Sequence, residues 1–561
     1  MDKRKDMVRR FAEDPQISVL VIGGGINGIG IFRELAMQGL DVLLIDRGDF
    51  CSGASAASSH MVHGGLRYLE NGEFRLVREA VQERNRLLEN APHQVHPLPT
   101  VIPIFKLFSG ILNAPLKFIG LFSRPSERGA LMVKIGLMLY DAYTRAQATV
   151  PTHRFEGRSR SLSRFPQLNP GVKFTATYYD GAMPSPERIC VELIADSRRA
   201  NPAALAMNYT SLVGREDGVI RLRDELTGDL FSVQPELVIN AAGPWIDPVN
   251  QLLGWSSSYI GGTKGSHLIL DHPELRQAMG ENEIFFENKD GRIVLLFPLE
   301  DKVLIGSSDI RVDDPDHVSC SEEEVAYFFQ MVQLVFPHIN LQRKHIIFQF
   351  SGVRPLPYTP EGSTGLISRD HQIKIDEVGG MPVYSLIGGK WTTFRAFSEQ
   401  VADKVLAYLQ HPRITSTRSM AIGGGRDYSR DEVGQAGFIA DLVDTYHLLE
   451  DQAWELFKRY GNLAAEVAEY IGLGEDEMLP AVPGFSRREI EFITKHEDVQ
   501  HLDDLLLRRT NLAKLGLLSK TGLVSLAGVV GEVKGWDKDV QQEEIDRCRR
   551  LLQEHHGVEL V

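Results

Sequence analysis

A short, mostly apolar run at 17–22 ends in Gly23-Gly24-Gly25-Ile26-Asn27-Gly28, and this junction limits the possible fold more than any other segment. The run has the length and composition of a strand buried on both faces of a parallel sheet. Residues 26–38 then carry a helical pattern, and a second apolar strand at 42–45 ends in Asp46. A G-x-G-x-x-G sequence alone is weak. Placed between a strand and a helix, and followed by a second strand that ends in an acid, it is a strong mark of a dinucleotide site. Gly23, Gly25 and Gly28 would allow a tight turn and close backbone approach to a pyrophosphate. The free N–H groups of the helix N-terminus would face its charge, and Asp46 would accept hydrogen bonds from ribose hydroxyls.

The residues after Asp46 favour FAD over NAD. The stretch 49–63 is small and polar, with Ser52, Gly53, Ser55, Ser58 and Ser59, and such a run can wrap the second nucleotide half. On composition alone an ordinary flexible loop fits it too. Further along, the apolar spacing of Phe74, Val77, Val81 and Leu88 predicts an amphipathic helix over 73–90. Residues 96–180 are proline-rich and read as irregular. Residues 237–242 read as another buried strand running into Gly243, and 262–350 holds several short strand patterns. Gly423-Gly424-Gly425 has the look of a linker. Beyond it the chain is helical in pattern, with 441–460 one example.

The length of 561 residues implies several domains, at ~100–200 residues each. A formal net charge of −14 argues against a nucleic-acid partner. Cys51, Cys190, Cys320 and Cys548 are far apart, so neither a zinc site nor a disulfide framework is indicated. No metal is expected, and the lack of an EF-hand pattern speaks against calcium control. No long uncharged apolar run is present, so no membrane span is expected.

The sequence Met61-Val62-His63-Gly64-Gly65-Leu66-Arg67-Tyr68-Leu69-Glu70 resembles the FAD-dependent, respiratory glycerol-3-phosphate dehydrogenases. Further resemblances follow in order: Val238 to Trp245, Lys264-Gly265-Ser266-His267, Ser351 to Leu356, Ser368-Arg369-Asp370, Gly388-Gly389-Lys390-Trp391-Thr392-Thr393, and Arg508-Arg509-Thr510 in the C-terminal part. The resemblance implies an α/β protein with a Rossmann-like FAD-binding domain, a β-rich substrate-side domain and an all-helical C-terminal domain. The expected boundaries are 17–95 with 180–260 and 351–400, then 96–179 with 261–350, then 427–561.

It also implies oxidation of a secondary alcohol, glycerol 3-phosphate, to a ketone, with electrons passing through FAD to membrane quinone. A phosphate dianion calls for several fixed cationic donors, and Arg67, Arg354 and Arg369 are the candidates, with Tyr68 adding a hydroxyl. Arg354, Arg369 and Lys390 would converge near substrate and flavin, and Gly388 and Gly389 would put backbone N–H groups at the flavin. His267, ahead of His63, is the expected proton acceptor, because imidazole titrates near neutral pH. An oxidase using oxygen, a dehydrogenase of another polyol phosphate, and a non-catalytic FAD scaffold or redox sensor stay open. The chain departs from the family pattern at Ala54, Ala56 and His60, and across 180–188. The apolar and basic segment 104–134 predicts peripheral attachment to an anionic membrane surface, on the inner face of the cell membrane in the cytoplasm; a buried hairpin is the rival reading. A homodimer is left open.

Overall fold

The strand Gln16–Ile22 is buried because it has parallel neighbours on both sides, Leu230–Asn240 and Val42–Ile45. The structure, a computed structural model, describes residues 3–65, 73–106, 130–144, 149–287, 293–359 and 370–561. The first sheet runs Gln372–Val378, Met381–Ile387, Leu230–Asn240, Gln16–Ile22, Val42–Ile45, Leu205–Met207, and Thr210–Glu216 and Val219–Asp224 extend it beside Leu230–Asn240. Its central pairs are parallel, so crossovers place Ile26–Ala36 and Pro186–Ala200 over one face, with Phe394–Tyr408 beside them. Val19, Val21, Phe32, Leu44 and Phe397 meet in one core there, while Leu20, Ile22, Leu43 and Ile45 point to a second core on the opposite face. That is the period-two alternation of a two-sided buried strand.

Among the described residues the second sheet has ten strands; Thr263–Leu270, Lys302–Gly306, Ile293–Leu299 and Glu283–Glu287 run antiparallel in turn, Glu283–Glu287 then pairs in parallel with His96–Ile104, and His96–Ile104 pairs antiparallel with Phe174–Ala182. Ile346–Arg354 pairs with Thr263–Leu270 in this sheet, so the expected boundary at 351 falls inside one of its strands. The proline-rich stretch expected to be irregular begins instead with a nine-residue strand, His96–Ile104. Pro97, Pro99 and Pro103 share one parity. Their missing N–H groups therefore face a single edge, and the even-numbered residues keep the ladder to Phe174–Ala182, as the 2.8 Å bond from Lys173 N–H to the Ile104 carbonyl shows.

The C-terminal part is helical, from Glu432–Tyr446 to Lys538–His556. The helical pattern over 441–460 is carried by two helices, because His447 adopts a left-handed φ of 57° and separates Glu432–Tyr446 from Glu450–Tyr460. Gly423–Gly425 is a packed turn rather than a loose linker. A Cβ on Gly424 would lie 1.7 Å from the Tyr460 carbonyl oxygen, and one on Gly423 would lie 2.0 Å from the Glu192 carboxylate. The helices dock on the large sheet through Phe297, Phe348, Phe350, Leu505, Leu506 and Leu526, all in one apolar core. Among the described residues no helix is long and apolar enough to cross a membrane. Most of the 104–134 segment, from 107 to 129, lies outside the described residues.

Candidate active site

The two sheets meet along a cavity of about 1200 Å³. Its first end is built from backbone. Gly23 has φ +111° and sits so close to the next strand that a Cβ would come within 2.5 Å of the Ala241 carbonyl oxygen. A Cβ on Gly28 would lie 1.9 Å from the Gly23 carbonyl oxygen, so the turn closes only with glycine at both places. Gly25 differs: its φ is an ordinary −78°, and among the described residues the neighbour of a Cβ there is the Ser55 hydroxyl, at 3.2 Å. Its open side is the cavity. Helix Ile26–Ala36 starts at this point, and its first N–H donates to Ser55 Oγ at 2.9 Å.

Asp46 ends strand Val42–Ile45 in the cavity wall, where its carboxylate accepts the N–H of Gly24 at 2.7 Å and of Gly48 at 2.8 Å. Burial pushes its pKa up to about 6, against the pull of those two bonds. The loop that follows wraps back over the turn. Cys51 N–H donates to the Gly24 carbonyl at 2.7 Å, and Trp391 Nε1–H donates to the Ser55 carbonyl at 2.9 Å. Ser58 and Gly243 also line the cavity, the latter at φ +60°.

The other end is built from side chains carried by four separate elements. His267 stands mid-strand in Thr263–Leu270, fully buried and stacked on Phe350, with ring centroids 4.9 Å apart. Gly306 on the next strand makes room for it, since a Cβ there would lie 2.0 Å from the imidazole. Its Nε2 is 2.8 Å from Ser59 Oγ. Burial, then the charge of Arg354, lowers its pKa to about 3. Arg354 closes strand Ile346–Arg354; its guanidinium donates to Ser307 Oγ at 2.8 Å, the Ser308 carbonyl at 3.1 Å and Asp309 at 3.2 Å. It lies over Gly265, where a Cβ would come within 2.1 Å of Nη2.

His63 follows strand Met61–Val62, and its backbone N–H donates to Thr392 Oγ1 at 3.1 Å. Gly388 and Gly389, at φ +77° and +96°, turn the chain sharply after Met381–Ile387 and deliver Lys390 to the same wall. The Gly388 N–H donates to the Pro355 carbonyl at 2.9 Å, which ties this turn to the end of the Arg354 strand. A buried imidazole held neutral beside a guanidinium, with a lysine nearby, can take a proton from a bound alcohol while the cations hold an anion.

The sequence matches the family of FAD-dependent oxidoreductases over residues 18–392 and the C-terminal domain of alpha-glycerophosphate oxidase over 415–541. A glycerol-3-phosphate dehydrogenase of Synechocystis sp. is 33% identical, covering 98% of each chain. The chain belongs to the FAD-dependent glycerol-3-phosphate dehydrogenase family. A D-erythritol 1-phosphate dehydrogenase of Brucella abortus is 31% identical over 89% of this chain and 95% of its own. In fold, the chain is similar to the glycerol-3-phosphate dehydrogenase of Bacillus halodurans solved with FAD, with a TM-score of 0.75 at 21% identity over 98% and 97% of the two chains.

As a member of this family the chain uses FAD, and the cavity fits it. Its volume of about 1200 Å³ exceeds the ~300–1,000 Å³ of pockets that hold one drug-sized ligand, so a dinucleotide and a small substrate have room together. Ser55 caps the helix at the turn and Ser59 serves His267, so these hydroxyls also hold the site itself. Of the departures from the family pattern, Ala54 lines the cavity, whereas His60 is buried away from it with Nδ1 2.9 Å from the Pro184 carbonyl. Arg67, Tyr68 and Arg369 lie outside the described residues.

Sequence reasoning missed several lining groups. Glu73 reaches the reaction end, where burial raises its pKa and the charge of Lys390 opposes the rise. Asp180 holds the Gly64 N–H at 3.0 Å while it is bonded to Tyr140, and Tyr140 accepts from Arg84 at 2.7 Å, so this buried set fixes the turn after His63. Asp309 and Ser307, which aim Arg354, sit in a run with no charge pattern to mark them. The only signal for Glu73 or Asp180 was an acid beside a recognised motif.

Proposed function

We propose that this protein oxidises sn-glycerol 3-phosphate to dihydroxyacetone phosphate and passes the electrons to membrane quinone. The observation that carries this reading is the meeting of His267, His63, Arg354 and Lys390 at one end of a cavity whose other end is the glycine-rich FAD turn. FAD, when bound, supplies the hydride acceptor. Arg354 holds the substrate phosphate, with Arg67, Arg369 and Tyr68 completing the clamp. His267 takes the hydroxyl proton at Nε2, where Ser59 now sits at 2.8 Å.

A group whose pKa is about 3 is a weak base. Burial is the larger cause of the lowering and Arg354 the smaller; an incoming phosphate offsets the charge of Arg354 and so raises the proton affinity of the imidazole in part. Lys390 and the Gly388–Gly389 turn face negative charge that develops during reduction. Gly25, whose open side is the cavity, lets the pyrophosphate lie against backbone, Gly23 and Gly28 close the turn that presents it, and Asp46 takes the ribose.

A second substrate, D-erythritol 1-phosphate, is favoured by the 31% identical relative. For the acceptor, substrate-reduced enzyme is mixed with a short-chain quinone or with air-saturated buffer. Reoxidation by quinone is expected to be faster, with little peroxide; one peroxide per turnover and no reaction with quinone would make the protein an oxidase. The apolar and basic segment 104–134 supports peripheral binding to anionic lipid on the inner membrane face. Wild type is expected to float with anionic liposomes, and Phe118→Glu/Phe122→Glu to lose flotation while it keeps FAD. Flotation that the double substitution leaves unchanged would exclude this segment as the anchor.

A further inference from the structure

Behind the nucleotide loop lies a buried charge cluster that the reaction does not use. Asp49 comes three residues after Asp46. Its carboxylate accepts from Arg509 at 2.7 and 2.9 Å, from Asn208 at 2.9 Å, and from Arg508. Arg508 also donates to Asp504 at 2.6 Å and Asp503 at 3.0 Å. Arg547 donates to Asp503 at 2.9 Å, and the Tyr209 hydroxyl to Asp504 at 2.6 Å. Three carboxylates thus face three guanidiniums, and the charge closes to zero. Burial would raise Asp49, but Arg509 and Arg508 outweigh it and hold the carboxyl well below the usual range.

The cluster joins two parts of the chain. Asp49, Asn208 and Tyr209 belong to the nucleotide side; the arginines, Asp503 and Asp504 belong to the C-terminal helices. Neighbouring residues of an α-helix point about 100° apart. Here the backbone opens into a π-turn, Leu505–Arg509, and both Arg508 and Arg509 reach the same carboxylate. The other face of the loop is the FAD site. Asp46 and Gly48 are tied to the strand end by Thr210 N–H to the Asp46 carbonyl at 2.7 Å and Tyr209 N–H to the Gly48 carbonyl at 2.9 Å, and Cys51 is tied to the glycine turn. Residues 46–51 therefore have the cofactor on one side and the helical domain on the other.

We propose that Arg508 and Arg509 are positioning residues for FAD: by fixing Asp49 they hold residues 46–51 in the cofactor-binding geometry, so the C-terminal helical domain acts as a lock on the flavin. Thermodynamic reciprocity follows, and bound FAD tightens the docking of that domain. The apolar core shared with the large sheet keeps the domain attached when the cluster is weakened, which makes the lock separable from the fold.

The test uses the whole protein, stripped of flavin and reconstituted. In wild type, FAD is expected to slow backbone hydrogen exchange across 502–515; equal exchange with and without FAD would overturn the coupling. Arg509→Met is expected to raise the FAD Kd at least tenfold and to shrink the rise in Tm that saturating FAD produces, with Arg509→Lys recovering part of both. A purely structural brace would instead lower the Tm of apoprotein and holoprotein equally and leave Kd unchanged. Should Arg509→Met not fold, the isosteric Asp49→Asn carries the same reading, and an unchanged Kd there refutes the lock.

Discussion

The two ends of the cavity are built from different materials. The nucleotide end is backbone: a turn in which Gly23 and Gly28 leave no room for a Cβ, a helix N-terminus, and one carboxylate bonded to two N–H groups. The reaction end is side chain: His63, His267, Arg354 and Lys390, brought in from four elements spread over more than three hundred residues. A site made of backbone is one contiguous motif and tolerates no substitution. A site made of side chains can be edited one group at a time while the cofactor stays bound. Electrostatics divide the same way, since Asp46 is a carboxyl pushed up to about 6 and His267 an imidazole pushed down to about 3.

The largest effect expected from breaking this division is at Gly25. Among the described residues a Cβ at Gly25 meets the Ser55 hydroxyl alone, so Gly25→Val should fold, but its side chain occupies the approach of the pyrophosphate. The purified variant is expected to be colourless; full flavin at wild-type affinity would put the pyrophosphate elsewhere. Next comes Arg354→Leu at the other end. A hydrogen bond to a charged group is worth about 1.5–3 kcal/mol, so kcat/KM should fall at least tenfold with flavin content unchanged. Loss of flavin in that variant would erase the distinction between the two ends.

The pH responses should oppose each other. As pH falls from 6.5 towards 3, the unfolded chain protonates its His267 equivalent and the folded protein does not, so that stability is present above pH 6.5 and lost on acidification. Asp46 acts in the other sense: its contribution is present below pH 3.8 and lost as pH rises through about 6. In apoprotein melting curves, His267→Gln should flatten the acid loss and Asp46→Asn should steepen it. Since the ionised carboxylate is the stronger acceptor for ribose, FAD affinity should increase several-fold as pH rises through about 6. The smallest effect is at Ser55, where Ser55→Ala removes the acceptor of the Ile26 N–H, a hydrogen bond worth about 1 kcal/mol, and should lower Tm slightly with FAD retained.

The same contrast explains what could be read from the sequence. The strand, turn, helix and acid of 17–46 were legible because each needs only its neighbours: alternation into two cores, glycine where a Cβ cannot fit, and an acid at a strand end. His267, Arg354 and Lys390 carry no local sign of their role. They came only with motif resemblance, and what brings them together is sheet pairing, as when Thr263 lies opposite Arg354 and His267 opposite Phe350. The misreadings have the same origin. Gly423–Gly425 resembles a linker until Glu192 and Tyr460 pack against it, and the prolines of His96–Ile104 argue against a strand until their common parity is noticed. Asp49, with two arginines from the far end of the chain on its carboxylate, had no signal nearby.

The central claim is that a phosphate-clamped polyol is oxidised at the side-chain end of this cavity. It is tested most directly by anaerobic titration of the holoprotein, following the oxidised-flavin absorption band. Stoichiometric sn-glycerol 3-phosphate should bleach the band rapidly and completely in wild type, unphosphorylated glycerol should leave it intact over the same time, and Arg354→Leu should bleach at least tenfold more slowly at limiting substrate. A band that persists with every polyol phosphate offered, or one that glycerol and its phosphate bleach equally well, would contradict the account.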